Sequence, residues 1–181
     1  MVRGHHSDDG RSKVALYRAR VVSAVDEPAR KFRMWLFVAP DGRLHAELIS
    51  GIGTTEAIID SSPTQMSVHF VRAAISYAGP VEAATLRDLW GVDSSLAEFV
   101  GLFMGGETPA GWALEAGAEE YPRELRYESE GRLIRLTLKR VQQLGVDPES
   151  LGSGASPAGI ERRPLSDLRL EQLPGVDHEE R

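Results

Sequence analysis

Arg30-Lys-Phe-Arg-Met-Trp-Leu-Phe-Val38 alternates with a period of two, the periodicity an extended strand needs to present two different faces. Phe32, Met34, Leu36 and Val38 share one face, while Trp35 and Phe37 share the other with Lys31 and Arg33. A strand that is apolar in part on both sides belongs in the middle of a sheet that is covered on both sides. The same periodicity extends outward. Upstream, Val14 to Val25 is a long run with β-branched and aromatic residues, closed by the turn Asp26-Glu-Pro-Ala29. Downstream, Pro40 and Asp41-Gly42 stop the strand and mark a hairpin into Arg43–Ile49. Ser50-Gly-Ile-Gly53 is a loop leading to Thr54–Ile59, and Asp60-Ser-Ser-Pro63 turns the chain into Gln65–Val71. A short strand around Ile75-Ser-Tyr77 ends at Gly79-Pro80. No helical pattern precedes Val81, so these strands cannot be parallel and must form an antiparallel meander.

The period then switches. Thr85–Trp90 places Leu86, Leu89 and Trp90 on one helical face, with Gly91 as its stop. Ser95-Leu-Ala-Glu98 has capping-box spacing and starts a second helix. Its residues Leu96, Phe99, Val100, Phe103 and Met104 make one apolar stripe, ended by Gly105-Gly106. Such a helix spans only about 15 Å, the size of a lid across one side of a sheet. Strands resume at Trp112–Glu115, Glu124–Tyr127 and Leu133–Val141, and a Gly-, Ser- and Pro-rich stretch follows. Its early part is expected to pack along the domain. The resulting division is a disordered leader over 1–12, one domain over 13–168 and a flexible tail over 169–181. The expected fold is mainly β, an incomplete antiparallel barrel covered by a short helical lid.

Composition narrows the functional classes. The 181 residues carry a formal net charge of -6, with both signs spread along the sequence, a balance that argues against a nucleic-acid surface. Without cysteine there is no disulfide framework, thiolate nucleophile or cysteine zinc site. No apolar run reaches the length of a membrane span, and no signal-peptide apolar region follows Met1. Gly51-Ile-Gly53 is half of a dinucleotide-binding fingerprint, but Glu56 stands where the third glycine is needed and a strand follows it. Of the five histidines, His5, His6 and His178 fall in the expected leader and tail, where mobile ligands offer a metal no fixed geometry. His45 and His69 lie on strands and read as solvent-facing or satisfied. No enzyme signature and no cofactor or metal site emerges.

The apolar residues say more. The second helix has core packing as its ordinary explanation, and its position as a bulky insertion in a sheet protein offers another: a cavity for a greasy ligand between lid and sheet. The candidate lining comprises Trp35, Phe37, Met66 and Phe70 from the strands, together with Leu89 and Trp90 from the first helix. Phe99, Val100, Phe103 and Met104 complete it from the second. Ile52 is a separate oddity, a β-branched apolar residue between two glycines at a loop tip. Exposed, it would contact a membrane or partner; folded back, it would be core.

The chain resembles the family of the outer-membrane lipoprotein receptor LolB and its periplasmic carrier relative LolA. The resemblance rests on Leu48-Ile-Ser-Gly-Ile-Gly-Thr-Thr-Glu56 and on Gly91-Val-Asp-Ser-Ser-Leu-Ala-Glu-Phe-Val-Gly-Leu-Phe-Met-Gly105. Tyr121-Pro-Arg-Glu-Leu125 and Arg163-Pro-Leu165 add to it. It implies binding of the acyl chains of lipoproteins or lipids in a hydrophobic cavity, with delivery or acceptance at the outer membrane. By the same resemblance, Ile52 is the membrane-contacting loop residue, and Phe99, Val100 and Phe103 belong to the lid. The implied partners are lipoprotein acyl chains, the inner leaflet of the outer membrane and a periplasmic carrier protein, for a monomer in the periplasm. The mature receptor begins at a lipidated cysteine and this chain has none. The alternatives are a static lipid-binding or sensor lipoprotein of the same fold and, further off, a lipid hydrolase.

Overall fold

Alternation along most of the strands gives this protein one sheet with an apolar inner face, and a smaller apolar cluster around Phe37 interrupts its polar outer face. The computed structural model describes residues 12–22, 29–117, 121–129, 131–144 and 159–168. The strands are β1 (Ser12–Val22), β2 (Arg30–Val38), β3 (Leu44–Ile49), β4 (Thr55–Ser61), β5 (Gln65–Phe70) and β6 (Ile75–Pro80). Helices α1 (Thr85–Trp90) and α2 (Leu96–Phe103) follow, then β7 (Trp112–Glu115), β8 (Glu124–Ser129), β9 (Arg132–Leu144) and β10 (Glu161–Pro164). The ten strands among the described residues join one sheet in the order β10-β6-β5-β4-β3-β2-β1-β9-β8-β7. Its two edges do not pair with each other, so the barrel is incomplete and the helices form a short lid. The pairings are antiparallel except β10 with β6.

The inner face carries the core. Ala15, Tyr17 and Ala19 of β1, Leu36 of β2, Ile59 of β4 and Val68 of β5 are all fully buried there. Helix residues Leu86, Leu96, Phe99 and Phe103 belong to the same cluster. The β1–β9 pairing closes a long stretch of chain, from Val22 opposite Leu133 to Ser12 opposite Leu144, with a bulge between Leu16 and Tyr17. Such non-local pairing has no local signal in the sequence. β10 is also absent from the sequence reading, since Glu161-Arg-Arg-Pro164 is charged and lacks alternation. It pairs with β6 and delivers Leu165 onto the open side of Gly79, where a Cβ would lie 2.9 Å from Leu165. Of the expected leader and tail, only Ser12, which opens β1, lies within the described residues.

Helix boundaries follow their caps. Ser95 Oγ accepts from the Glu98 N–H while the Glu98 carboxylate accepts from the Ser95 N–H at 2.7 Å, the reciprocal capping box. Gly91 ends α1 in the left-handed region, φ +62, and its backbone is pressed against the Arg132 guanidinium. The left-handed backbone there favours glycine, and any side chain would also have to displace the Arg132 guanidinium. The described residues contain no helix long and apolar enough to cross a membrane.

Candidate functional site at the lid and the Ile52 loop

Two features stand out: the aromatic layer beneath α2, and the β3–β4 loop at one end of the sheet. Phe99 is the hub of the first. Its ring lies 5.9 Å from Trp90, 5.3 Å from Phe103 and 5.6 Å from Trp112, centroid to centroid. Phe103 reaches Tyr17 at 6.2 Å and Tyr121 at 6.3 Å. These tilted and edge-on contacts are the arrangements aromatic quadrupoles favour. The lid's connecting loop is tied to the C-terminal strands by polar bonds. Trp112 Nε1 donates to Ser94 Oγ at 3.0 Å, and the Asp93 N–H donates to the Tyr127 hydroxyl at 3.0 Å. Arg132 also donates to the Trp90 carbonyl. Below the lid, the Tyr17 hydroxyl donates to the Pro122 carbonyl at 2.8 Å. Burial, reinforced by Tyr121, pushes the Tyr17 phenol far above its usual range, so it stays a neutral donor.

Several of the candidate lining residues are buried or half-buried on the inner face or under the lid. Phe99, Val100 and Phe103 face the sheet from α2, and Trp90 is half-buried against Phe99. Met66 is buried on the inner face, and half-buried Phe70 packs edge-on against Tyr77. Three do not fit as expected. Trp35 and Phe37 lie on the outer face with Val14 and Ala39, apart from the lid. Period-two geometry forces this, because Met34, Leu36 and Val38 already occupy the inner face. Met104 is exposed: α2 ends at Phe103, and the Gly106 N–H turns back to the Gly101 carbonyl, carrying Met104 off the stripe. The side chain of Leu89 lies outside the described residues. Tyr17, Trp112, Tyr121 and Tyr127 are the site residues that pattern reading missed. Tyr17 had a usable signal, since it stands between Ala15 and Ala19, small neighbours that leave room for the Phe103 ring.

The second feature is the loop. Ile52 is 83% exposed, the most exposed of the large apolar side chains described. The neck beneath it is closed by the Ser50 N–H donating to the Thr54 carbonyl at 2.9 Å and the Gly53 N–H donating to the Ser50 carbonyl at 3.0 Å. Gly53 takes φ +92, a conformation that a β-branched residue would strain to adopt. In this short closed loop Ile52 projects into solvent and does not fold back onto the sheet. The register brings half-buried Val21, Phe32 and Phe70 of the inner face to the same end of the sheet.

On the outer face, His45 bridges two carboxylates. Its Nδ1 lies 2.6 Å from Asp60 and its Nε2 lies 3.5 Å from Glu47. Burial pulls its pKa down, but the hydrogen bonds and charges of Asp60 and Glu47 outweigh burial and raise it to about 9. Both ring nitrogens are engaged with acids, which makes this a structural ion cluster and leaves neither nitrogen for a nucleophile. His69 differs, its Nδ1 buried without a hydrogen-bond partner among the described residues. No group of three metal-binding side chains occurs among the described residues.

A LolA superfamily protein from Nitrosomonas europaea superposes with a TM-score of 0.51 at 10% identity, over 81% of this chain and 91% of that one. The fold is LolA-like. A putative outer membrane lipoprotein-sorting protein domain from Vibrio parahaemolyticus aligns with a TM-score of 0.40 at 8% identity, over 80% of this chain and 90% of that one. No protein-family model and no curated protein matches the sequence. The LolA-like fold of this chain is thus carried by its backbone arrangement, with almost none of the side chains shared.

Proposed function

We propose that this protein binds the acyl chains of a lipoprotein or lipid between the inner face and the α1–α2 lid, and accepts or delivers them at the outer membrane. The observation that carries the reading is the exposed Ile52, held at the end of the sheet where half-buried Phe32 and Phe70 line the inner face. A cargo lying there has a short apolar path to a bilayer touched by that loop. The likeness to the LolA superfamily structure supports a carrier fold, and the aromatic layer around Phe99 and Phe103 supplies the apolar surface. Each methylene withdrawn from water contributes about 0.8 kcal/mol, so a chain of about a dozen brings roughly 10 kcal/mol. Part of that would offset parting α2 from the aromatics it now touches. The work would be done in the periplasm at the inner leaflet of the outer membrane, with a periplasmic carrier as donor and with binding rather than catalysis as the activity.

The static-binder reading differs in needing no exposed apolar loop, so the exposure of Ile52 supports transfer over it. A hydrolase would need a nucleophile and base under the lid. The His45–Asp60 pair is on the other side of the sheet, with both imidazole nitrogens taken.

Ile52→Glu is the decisive variant, because an exposed loop tip tolerates a charge without unfolding. One Ile inserted among lipid tails gains about 1.5–3 kcal/mol, roughly a tenfold to hundredfold shift in partitioning. The variant should keep its circular dichroism and its binding of a fluorescent fatty acid, yet transfer cargo into liposomes at least about tenfold more slowly. Full transfer by Ile52→Glu, or failure of the wild-type chain to bind the fatty acid at all, would overturn the proposal.

A further inference from the structure

The register sets like charges directly opposite each other on the outer face. Arg18 faces Arg33 and Arg20 faces Lys31 across β1–β2. Arg20 also faces Arg135 across β1–β9, and Arg126 faces Arg135 across β8–β9. Directly opposed like charges destabilise a sheet, so a run of them is a cost that folding alone does not explain. Glu124 and Glu128 offset part of it at Arg135 and Arg126. Arg18, Arg20, Lys31 and Arg33 are exposed and form no ion pair among the described residues. This in a chain whose net charge is -6: the fold concentrates on one patch a charge that the sequence disperses.

The patch is also placed next to the apolar loop. Arg33 pairs with Ile49, the last residue of β3, and its guanidinium lies under the β3–β4 turn, 3.5 Å from where a Cβ on Gly53 would be. Ile52 and the partly exposed Val71 project from the same end of the sheet.

We propose that this end of the protein docks on an anionic phospholipid surface, with Arg18, Arg20, Lys31 and Arg33 on the headgroups and Ile52 inserted among the acyl chains. Charge complementarity selects the partner, and the adjoining apolar tip selects a bilayer over nucleic acid, to which an exposed Ile offers nothing. Each basic residue near an anionic leaflet strengthens binding roughly fivefold, and salt screens the effect. The inference deepens the membrane contact proposed above, but it does not depend on cargo.

The test uses the full chain and sedimentation with vesicles of phosphatidylcholine alone or mixed with phosphatidylglycerol. The wild type should bind the mixed vesicles, lose binding as salt is raised, and bind neutral vesicles weakly. Arg20→Glu/Arg33→Glu is the informative variant, since it turns three repulsive cross-strand pairs into attractive ones. Its thermal stability should therefore hold or rise while affinity for the anionic vesicles falls by roughly tenfold to a hundredfold. Equal binding to both vesicle types, undiminished binding by the folded variant, or tighter patch-dependent binding to an oligonucleotide than to vesicles would each overturn the proposal. Fatty-acid uptake, measured in the same preparations without vesicles, reports on the cargo reading alone, so either idea can fail without the other.

Discussion

At the residue scale, His45 is the best example of a side chain whose neighbours redefine it. Sequence places it on a strand and no more; the β3–β4 register brings Asp60 opposite it, and Glu47 lies two residues along on the same face. The imidazole is held protonated up to a pKa of about 9, from an ordinary 6.5, and its hydrogen bond in turn holds the Glu47 carboxyl below its usual value. The linkage has a definite sign. His45 contributes its full stabilisation below pH 6.5 and loses it as the pH rises through about 9. Glu47 contributes above its ordinary 4.5 and loses its share as the pH falls through its lowered value. His45→Gln should therefore cost about 1–2 kcal/mol at near-neutral pH, after allowing for partial exposure, and almost nothing well above the raised value. Melting curves of both proteins across that range check this; a difference constant with pH would show that the loss is packing and not charge.

Among the elements, the lid was the most legible. Thr85–Trp90, its Gly91 stop and the Ser95–Glu98 capping box all occur as the residue pattern indicates, because caps and helical stripes are written in residues three or four apart. What spacing could not supply was the end of the stripe. A chain reversal at Gly105-Gly106 removes Met104 and leaves Leu102 buried in its place. With eight residues α2 is too short to persist alone, so its cap and its aromatic contacts must hold it jointly. Ser95→Ala removes the acceptor for the Glu98 N–H and should destabilise the protein by about 1 kcal/mol. For a chain of this size that lowers the melting temperature by about 2–4 °C. Amide exchange should rise first over the α2 residues; uniform acceleration across the sheet would mean that the lid does not open separately.

Across the whole molecule, closure depends on pairs far apart in sequence. Tyr17 donates to the Pro122 carbonyl over a separation of 105 residues, and the Tyr121 hydroxyl donates to the Lys13 carbonyl over 108. Tyr17→Phe keeps the ring against Phe103 but leaves a buried carbonyl short of a partner, which should cost about 1–3 kcal/mol in chemical denaturation with an unchanged dependence on denaturant. A neutral result would mean that water replaces the hydroxyl. Apart from β10, the strands, hairpin turns and helices of this protein were determined by its sequence alone, since alternation, turn residues and caps act within a few positions. So was the oddity of Ile52, although not its exposure. Only the tertiary structure decided that Trp35 and Phe37 face away from the lid, that Glu161–Pro164 joins the sheet beside β6, and that β1 lies between β2 and β9. It alone brought Arg18, Arg20, Lys31 and Arg33 together beside the Ile52 loop. The physical reason is common to all of these. Periodicity states that a side chain has a face, but which partner that face meets is set by long-range strand register, and register is a property of the folded sheet rather than of any local stretch of chain.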